Sequence, residues 1–284
     1  MFGYRADGRK LKTVGPFFRV IPLVMKKRSD AHVYYSQDVA LEKLDAYIEK
    51  TNEEKGIKLS YMEIIYAALV RTIGEKPCLN RFVMNGRTYA RHGIDISLAI
   101  KKEMSENIEE TTLKIRFDGT ENIFQIRDKL EKVISENKDV SAENETDKFA
   151  KILSHVPTFI MKIAVNFLLW LDKHGMLPMS VINLSPFHTT AFLTNVGSLG
   201  IDAIYHHIYD VGTCGMFVAM GKKKKSYIYE DDEIKQEKSI TLNIVADERI
   251  CDGFYYANAM KTFFKYLKKP ELLETNIEKK EDIK

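Results

Sequence analysis

A chain of 284 residues, 45% hydrophobic and 29% charged, is long enough for a sizeable core and has the composition of an ordinary globular protein. Its 43 Lys and Arg against 40 Asp and Glu give a formal net charge of +3, too balanced to imply a nucleic-acid partner. Three cysteines, Cys78, Cys214 and Cys251, lie far apart without metal-ligand spacing, which argues against a disulfide framework or a zinc site and suits a reducing compartment, the cytoplasm.

The first ten residues hold no apolar core of signal-peptide length. Residues 1–30 read as an irregular N-terminal arm, because Gly8, Gly15, Pro16 and Pro22 interrupt any periodicity. His32 to Ser36 is rich in sheet-favouring residues and is expected as a short strand; Val39 to Thr51 places Leu41, Leu44 and Ile48 on one helical face. Ser60 precedes a helix expected from about Tyr61 to Ile73, closed by Gly74 and Pro77. Asn85-Gly86 predicts a tight hairpin, since both residues tolerate positive φ. Ile94 to Ile100 and Glu110 to Phe117 follow as strands, and Ile123 to Glu136 as an amphipathic helix with Phe124, Ile126, Leu130 and Ile134.

Asp139 to Asp147 is acidic and polar and reads as a linker. From Phe149 to Leu177 the pattern is helical and unusually apolar, broken by Pro157. Its most apolar run, Phe159 to Leu171, includes Lys162 and Asn166 and is too short to span a bilayer as a helix. Lacking the cationic face of an interfacial helix, it is expected to be buried or subunit-facing. Lys222 to Lys225 and Glu230 to Glu233 read as the charged, solvated ends of a hairpin. Ile240, Leu242, Ile244 and Ala246 then alternate with Thr241, Asn243, Val245 and Asp247 as in a strand. After a charged turn, Asp252 is placed to cap a helix carrying Phe254, Ala257, Met260, Phe264 and Leu267, which Pro270 stops; residues 271–284 read as a charged tail.

The turn Asp247-Glu-Arg-Ile-Cys-Asp-Gly253 resembles the signature of the chloramphenicol acetyltransferase and 2-oxoacid dehydrogenase acyltransferase superfamily. Six of its seven positions agree with the Asp-His-Arg-x-x-Asp-Gly form, and Glu248 stands where that family keeps its general-base histidine. Phe192-Leu-Thr-Asn-Val-Gly-Ser-Leu-Gly200 resembles the family's Thr-Ile-Ser-Asn-Leu-Gly strand and loop, and Cys214 to Gly221 the strand that follows; Tyr205-His-His-Ile-Tyr-Asp210 departs from the usual Pro-rich stretch. The order of parts is similar from about residue 30 to 270, with 139–180 as a helical insertion. This resemblance implies an α/β (α+β) fold in residues 31–270, a two-layer sandwich with a mixed β-sheet, chloramphenicol acetyltransferase-like. It also implies a homotrimer with sites between subunits, no membrane span, coenzyme A (acyl-CoA) as cofactor and a small-molecule acyl acceptor. The residues before His32 are too few for a lipoyl-bearing module.

In the family the histidine deprotonates a hydroxyl or the CoA thiol, the later aspartate holds the site through a buried ion pair, and a loop hydroxyl stabilises the oxyanion. Residue by residue, the resemblance carries over Glu248 at the base position and Asp252 as the structural aspartate, paired with Arg19, Arg28 or Arg249. Ser198 and Thr194 supply the hydroxyls; Gly197 falls at the serine position of one branch, and Thr189 is a weaker choice. A Glu near 4.3 against a thiol near 8.5 is mismatched by about four units, on the order of 5.5 kcal/mol. His188, His206 and His207 are alternative bases and Cys251 an alternative nucleophile, each more often a packed or surface side chain. Two functions remain open: a CoA-dependent acyltransferase with a modified base, or a catalytically inactive descendant serving as a binding or assembly protein. Glu248 itself is expected to be structural, paired with Arg249 or another arginine, with weak or no classical acetyl transfer.

Overall fold

A computed structural model describes residues 5–101, 110–137, 155–230 and 232–283. Its centre is a seven-stranded mixed sheet of β2 (His32–Ala40), β5 (Ile94–Lys101), β6 (Glu110–Phe117), β7 (Ala191–Asn195), β8 (Met216–Met220), β9 (Lys224–Glu230) and β10 (Glu233–Asp247). The order is β2-β10-β8-β7-β5-β6, and β9 pairs with the first part of β10. The β5–β7 and β7–β8 pairs are parallel and the others antiparallel. The period of two sorts the strands into faces. Ile96 and Leu98, Leu193, Val218, and Leu242, Ile244 and Ala246 enter one core beneath a helical layer of α2 (Glu42–Lys55), α3 (Tyr61–Glu75), α4 (Ile123–Asn137) and α7 (Gly253–Lys268). Phe192, Phe217 and Val245 turn to the other face, where they meet Ile208 and Cys214 of the loop that follows β7. This is the two-layer mixed α/β arrangement expected from the sequence.

Local signals fix the elements. Ser60 and Glu63 form a capping box at the start of α3, with Glu63 reaching back to the Ser60 N–H at 2.8 Å. Asn85 (φ 50°) and Gly86 (φ 68°) turn the hairpin between β3 (Arg81–Met84) and β4 (Arg87–Arg91), which with β1 (Gly8–Lys10) makes a small second sheet. The strand beginning at His32 runs on to Ala40, and the helix expected from Val39 begins at Glu42, because β10 continues to pair residue for residue up to Ser239–Ala40. The arm read as irregular holds β1 and α1 (Pro16–Val24); Pro16 sits at the first helical position, where its missing N–H costs nothing. The 271–284 segment lies against the body: Arg81 Nε meets Asp282 Oδ2 at 2.6 Å and Lys280 N–H donates to Gly74 O at 2.9 Å.

The apolar stretch forms α5 (Thr158–Lys173), followed by the short α6 (Met179–Leu184); the acidic linker and residues 149–154 of the expected helix lie outside the described residues. Of the two placements expected, burial within the chain is not met: α5 stands exposed, as a subunit-facing helix also would in one chain, with Phe159 at 66%, Ile163 at 67% and Trp170 at 49%. One buried charge cluster holds its C-terminal end. Asp172 accepts from Arg5 Nη2 at 2.7 Å and lies 3.1 Å from His188 Nε2, while Arg5 also binds Asp7 at 2.8 Å. Burial pushes the Asp172 and Asp7 carboxyls up, but the bonds from His188 to Asp172 and from Arg5 to Asp7 outweigh it and hold both below their ordinary value of 3.8. Depressed carboxylates contribute stability that is complete above the ordinary value and is lost as pH falls through the folded one. Thermal melts of the wild type are therefore expected to steepen in their pH dependence below about pH 4, and Asp172→Asn to flatten that dependence.

Candidate active site

Strand β10 delivers Asp247 to the face opposite the helices, 1% exposed. Its carboxylate receives Arg249 through two parallel bonds, Nε–Oδ1 at 2.8 Å and Nη2–Oδ2 at 2.7 Å, and lies 3.4 Å from Arg28 Nε. Arg249 Nη1 also donates to Met25 O at 3.2 Å, and Arg28 to Tyr209 O and, at 3.0 Å, to Gly212 O. One carboxylate thus ties together the motif turn, the N-terminal arm and the loop after β7. Burial pushes the Arg28 guanidinium down from its ordinary value, and Asp247 opposes that shift.

The expected pairing of Asp252 is corrected by this arrangement. Asp252 is exposed at the start of α7, where its Oδ1 accepts from Tyr255 N–H at 2.7 Å, so it caps the helix as the sequence indicates. Two of its candidate partners, Arg28 and Arg249, belong to Asp247, and the third, Arg19, is exposed on α1.

Glu248 follows with its N–H donating to Ala31 O at 3.0 Å, which fixes its backbone against the edge strand β2. Its half-buried side chain lines a groove of about 690 Å³ between β2 and α7, together with Tyr35, Ile244, Tyr256, Met260 and Phe264. Lys261, Lys265, Lys268 and Lys269 line the same groove. The anticipated Glu248–Arg249 pair does not form, because Arg249 is engaged by Asp247 through Nε and Nη2 and by Met25 O through Nη1; among the described residues Glu248 makes no ion pair. Tyr256 braces the turn from below, its hydroxyl donating to Asp247 O at 2.7 Å.

The hydroxyl candidates lie elsewhere. Thr194 on β7 stands opposite Ala219 on β8, which stands opposite Asn243 on β10, five residues before Glu248. At about 3.3 Å per residue and about 4.8 Å per strand, Thr194 and Glu248 are on the order of 19 Å apart. Ser198 is farther along the loop, with its hydroxyl donating to Asn195 O at 2.7 Å. A side chain at Gly197 has no room, since a Cβ there would meet Gly221 O at 2.5 Å. Thr189 is buried and donates to Asp95 O at 2.7 Å.

The alternative bases and nucleophile are placed as packed or surface groups. His188 belongs to the Asp172 cluster, His206 stacks on Phe217 at 4.3 Å, and His207 is exposed. Cys251 is buried, and burial pushes its thiol well up. Sequence reasoning missed Asp247 as the ion-paired aspartate, although Asp247-x-Arg249 was visible inside the motif. It also missed His32, which sits opposite Asp247 in register and whose imidazole burial pushes down.

The fold and the glutamate-bearing turn define a protein of the chloramphenicol acetyltransferase-like acyltransferase class. Residues 20–145 and 187–275 match the family described as 2-oxoacid dehydrogenases acyltransferase (catalytic domain), and the chain belongs to that family. Among solved structures it is similar to the dihydrolipoamide acetyltransferase of Azotobacter vinelandii, at 12% identity over 92% of this chain and 93% of that one, with a TM-score of 0.58. It is also similar to a truncated catalytic core of the 2-oxoacid dehydrogenase multienzyme complex from Thermoplasma acidophilum (13% identity, 92% and 99% covered, TM-score 0.55). A chloramphenicol acetyltransferase shares the fold at 11% identity, with 94% and 99% covered and a TM-score of 0.54. No curated protein matches the chain at a significant level.

Proposed function

We propose that residues 31–270 form an acyltransferase-like domain that binds the pantetheine arm of an acyl-CoA in the groove under Glu248 and uses Glu248 as the base for acyl transfer. The observation that carries this reading is Glu248 itself, next to the Asp247 cluster, without an ion pair among the described residues and lining a groove of apolar side chains and lysines. A carboxylate is a poor match for a thiol acceptor. It suits an amine better, because an amine attacks in its neutral form and becomes acidic only once the new bond has formed. The acceptor is accordingly a small-molecule amine.

The distance between Glu248 and the Thr194–Ser198 loop supports a site completed by a neighbouring copy, in a homotrimer. A solved pyruvate dehydrogenase relative forms a cubic core, and its fold is similar to this one. The free cysteines support a cytoplasmic location, and no helix among the described residues is long and apolar enough to cross a membrane. One observation favours the second reading, a catalytically inactive descendant that binds or assembles: Gly197, at the serine position of one family branch, is closed to any side chain.

Thiol release from acetyl-CoA with amine, hydroxyl and thiol acceptors separates the readings. Release with amines supports the first; CoA binding without release supports the second; no thermal shift with millimolar CoA removes both. If copies share sites, assembling an inactive Glu248→Gln chain with an inactive Thr194→Ala/Ser198→Ala chain in equal amounts should restore about one site in four. No recovery in proven hybrids would remove the shared site.

A further inference from the structure

We infer that α1 and α5 together form a docking surface for an anionic membrane. Each helix is apolar and largely uncovered: Phe17 is 70% exposed, and Val24, Phe159, Ile163, Phe167 and Trp170 are exposed with it. The two helices adjoin, since Pro22 and Leu23 of α1 and Leu169 and Asp172 of α5 line one cleft. The cationic face that the sequence of α5 lacks is supplied by this neighbour. Lys26, Lys27 and Lys173 line the same cleft, and Lys12 and Arg19 line a second groove on α1 with Phe18 and Leu23.

Charge selects the occupant. No acidic residue occurs between Asp7 and Asp30, and the sole acidic residue from 155 to 178 is Asp172, which is buried against Arg5 and His188. Among the described residues, the rim of this apolar patch carries Lys12, Arg19, Lys26, Lys27 and Lys173 against one exposed carboxylate, Asp210, which accepts from Ser29 N–H and Oγ, and a cationic rim of this kind is complementary to a bilayer interface bearing anionic headgroups. A second copy offering the same face would oppose mostly like charges, with Asp210 the one exposed carboxylate among the described residues of the cleft to offset them. α5 lies wholly in the stretch, 146–186, that the family match leaves out. At 16 residues α5 is too short to cross a bilayer, so the helices lie in the interface plane with their aromatic side chains at headgroup depth. The Asp172 cluster holds the C-terminal end of α5, and the side chains along its length stand mostly exposed.

Flotation of the full chain with phosphatidylcholine vesicles, with and without phosphatidylserine, tests the proposal. Binding is expected to the anionic vesicles at low salt, and to fall about twentyfold or more in Lys26→Ala/Lys27→Ala, which removes two surface charges. Phe159→Ser/Trp170→Ser should weaken binding as well, with an unchanged melting temperature because both residues are exposed. If that pair loses its fold, the lysine pair decides alone. Absence of binding to anionic vesicles overturns the proposal. If Phe159→Ser/Trp170→Ser then lowers the mass seen by light scattering, the face is an interface between copies; if the mass is unchanged, an acidic protein is the occupant. Binding that neither lysine removal nor salt reduces overturns it equally.

Discussion

Replacing Asp247 by asparagine is expected to lower the unfolding free energy by about 3 to 5 kcal/mol, the cost of leaving buried charges without their counter-ion. Asparagine keeps the shape but not the charge, so Arg28 and Arg249 would face each other across a site with almost no solvent. The loss is expected to spread beyond the motif, because the same two guanidinium groups donate to Met25 O in the arm and to Tyr209 O and Gly212 O in the far loop. Urea denaturation followed by circular dichroism measures it. A change under about 1 kcal/mol would mean that water reaches this pair and that it behaves as a surface one. Asp252→Ala provides the internal contrast: only a helix cap is lost there, for about 1 kcal/mol.

Glu248→Gln is expected to do the reverse, leaving stability alone and lowering the rate of acyl transfer by about 10² to 10⁴, the usual contribution of a positioned base. Glutamine fills the same volume in the groove but cannot accept a proton. Because Glu248 has no ion-pair partner among the described residues, its neutralisation leaves no orphaned charge there. Steady-state kinetics on an amine acceptor, beside a melting curve, reads both quantities. A variant that keeps its rate would show that the carboxylate is a bystander in the groove.

Much of the fold could be read from local pattern alone. The Asn85-Gly86 turn, the Ser60 cap, the strand Glu110–Phe117 and the Asp252 cap are all decided by residues within a few positions of one another, and they stand where the sequence puts them. What could not be read depends on contacts distant in sequence. Nothing near Asp247 indicates that Arg28, more than two hundred residues earlier, approaches it, and the resemblance alone points to Asp252 for the pairing role. The arm reads as irregular because two prolines obscure a short helix whose second proline, Pro22, is buried. The position of α5 could not be read either: its apolar sequence fits burial in a core and exposure on a surface equally well, and only the packing of one chain distinguishes them.

Trp170 is the only tryptophan in the chain, and it projects from α5, stacked on Phe167 at 6.3 Å and with the His174 ring 4.5 Å away. Indole emission therefore samples a single point on the outside of the molecule. Spectroscopically, the protein has a reporter wired to its periphery: fluorescence will follow the detachment or covering of one helix, while backbone dichroism follows the body. The two signals are expected to part company during denaturation if α5 detaches before the sheet and its helices melt, so a mismatch between probes would report a partly unfolded state in which this helix alone has come away.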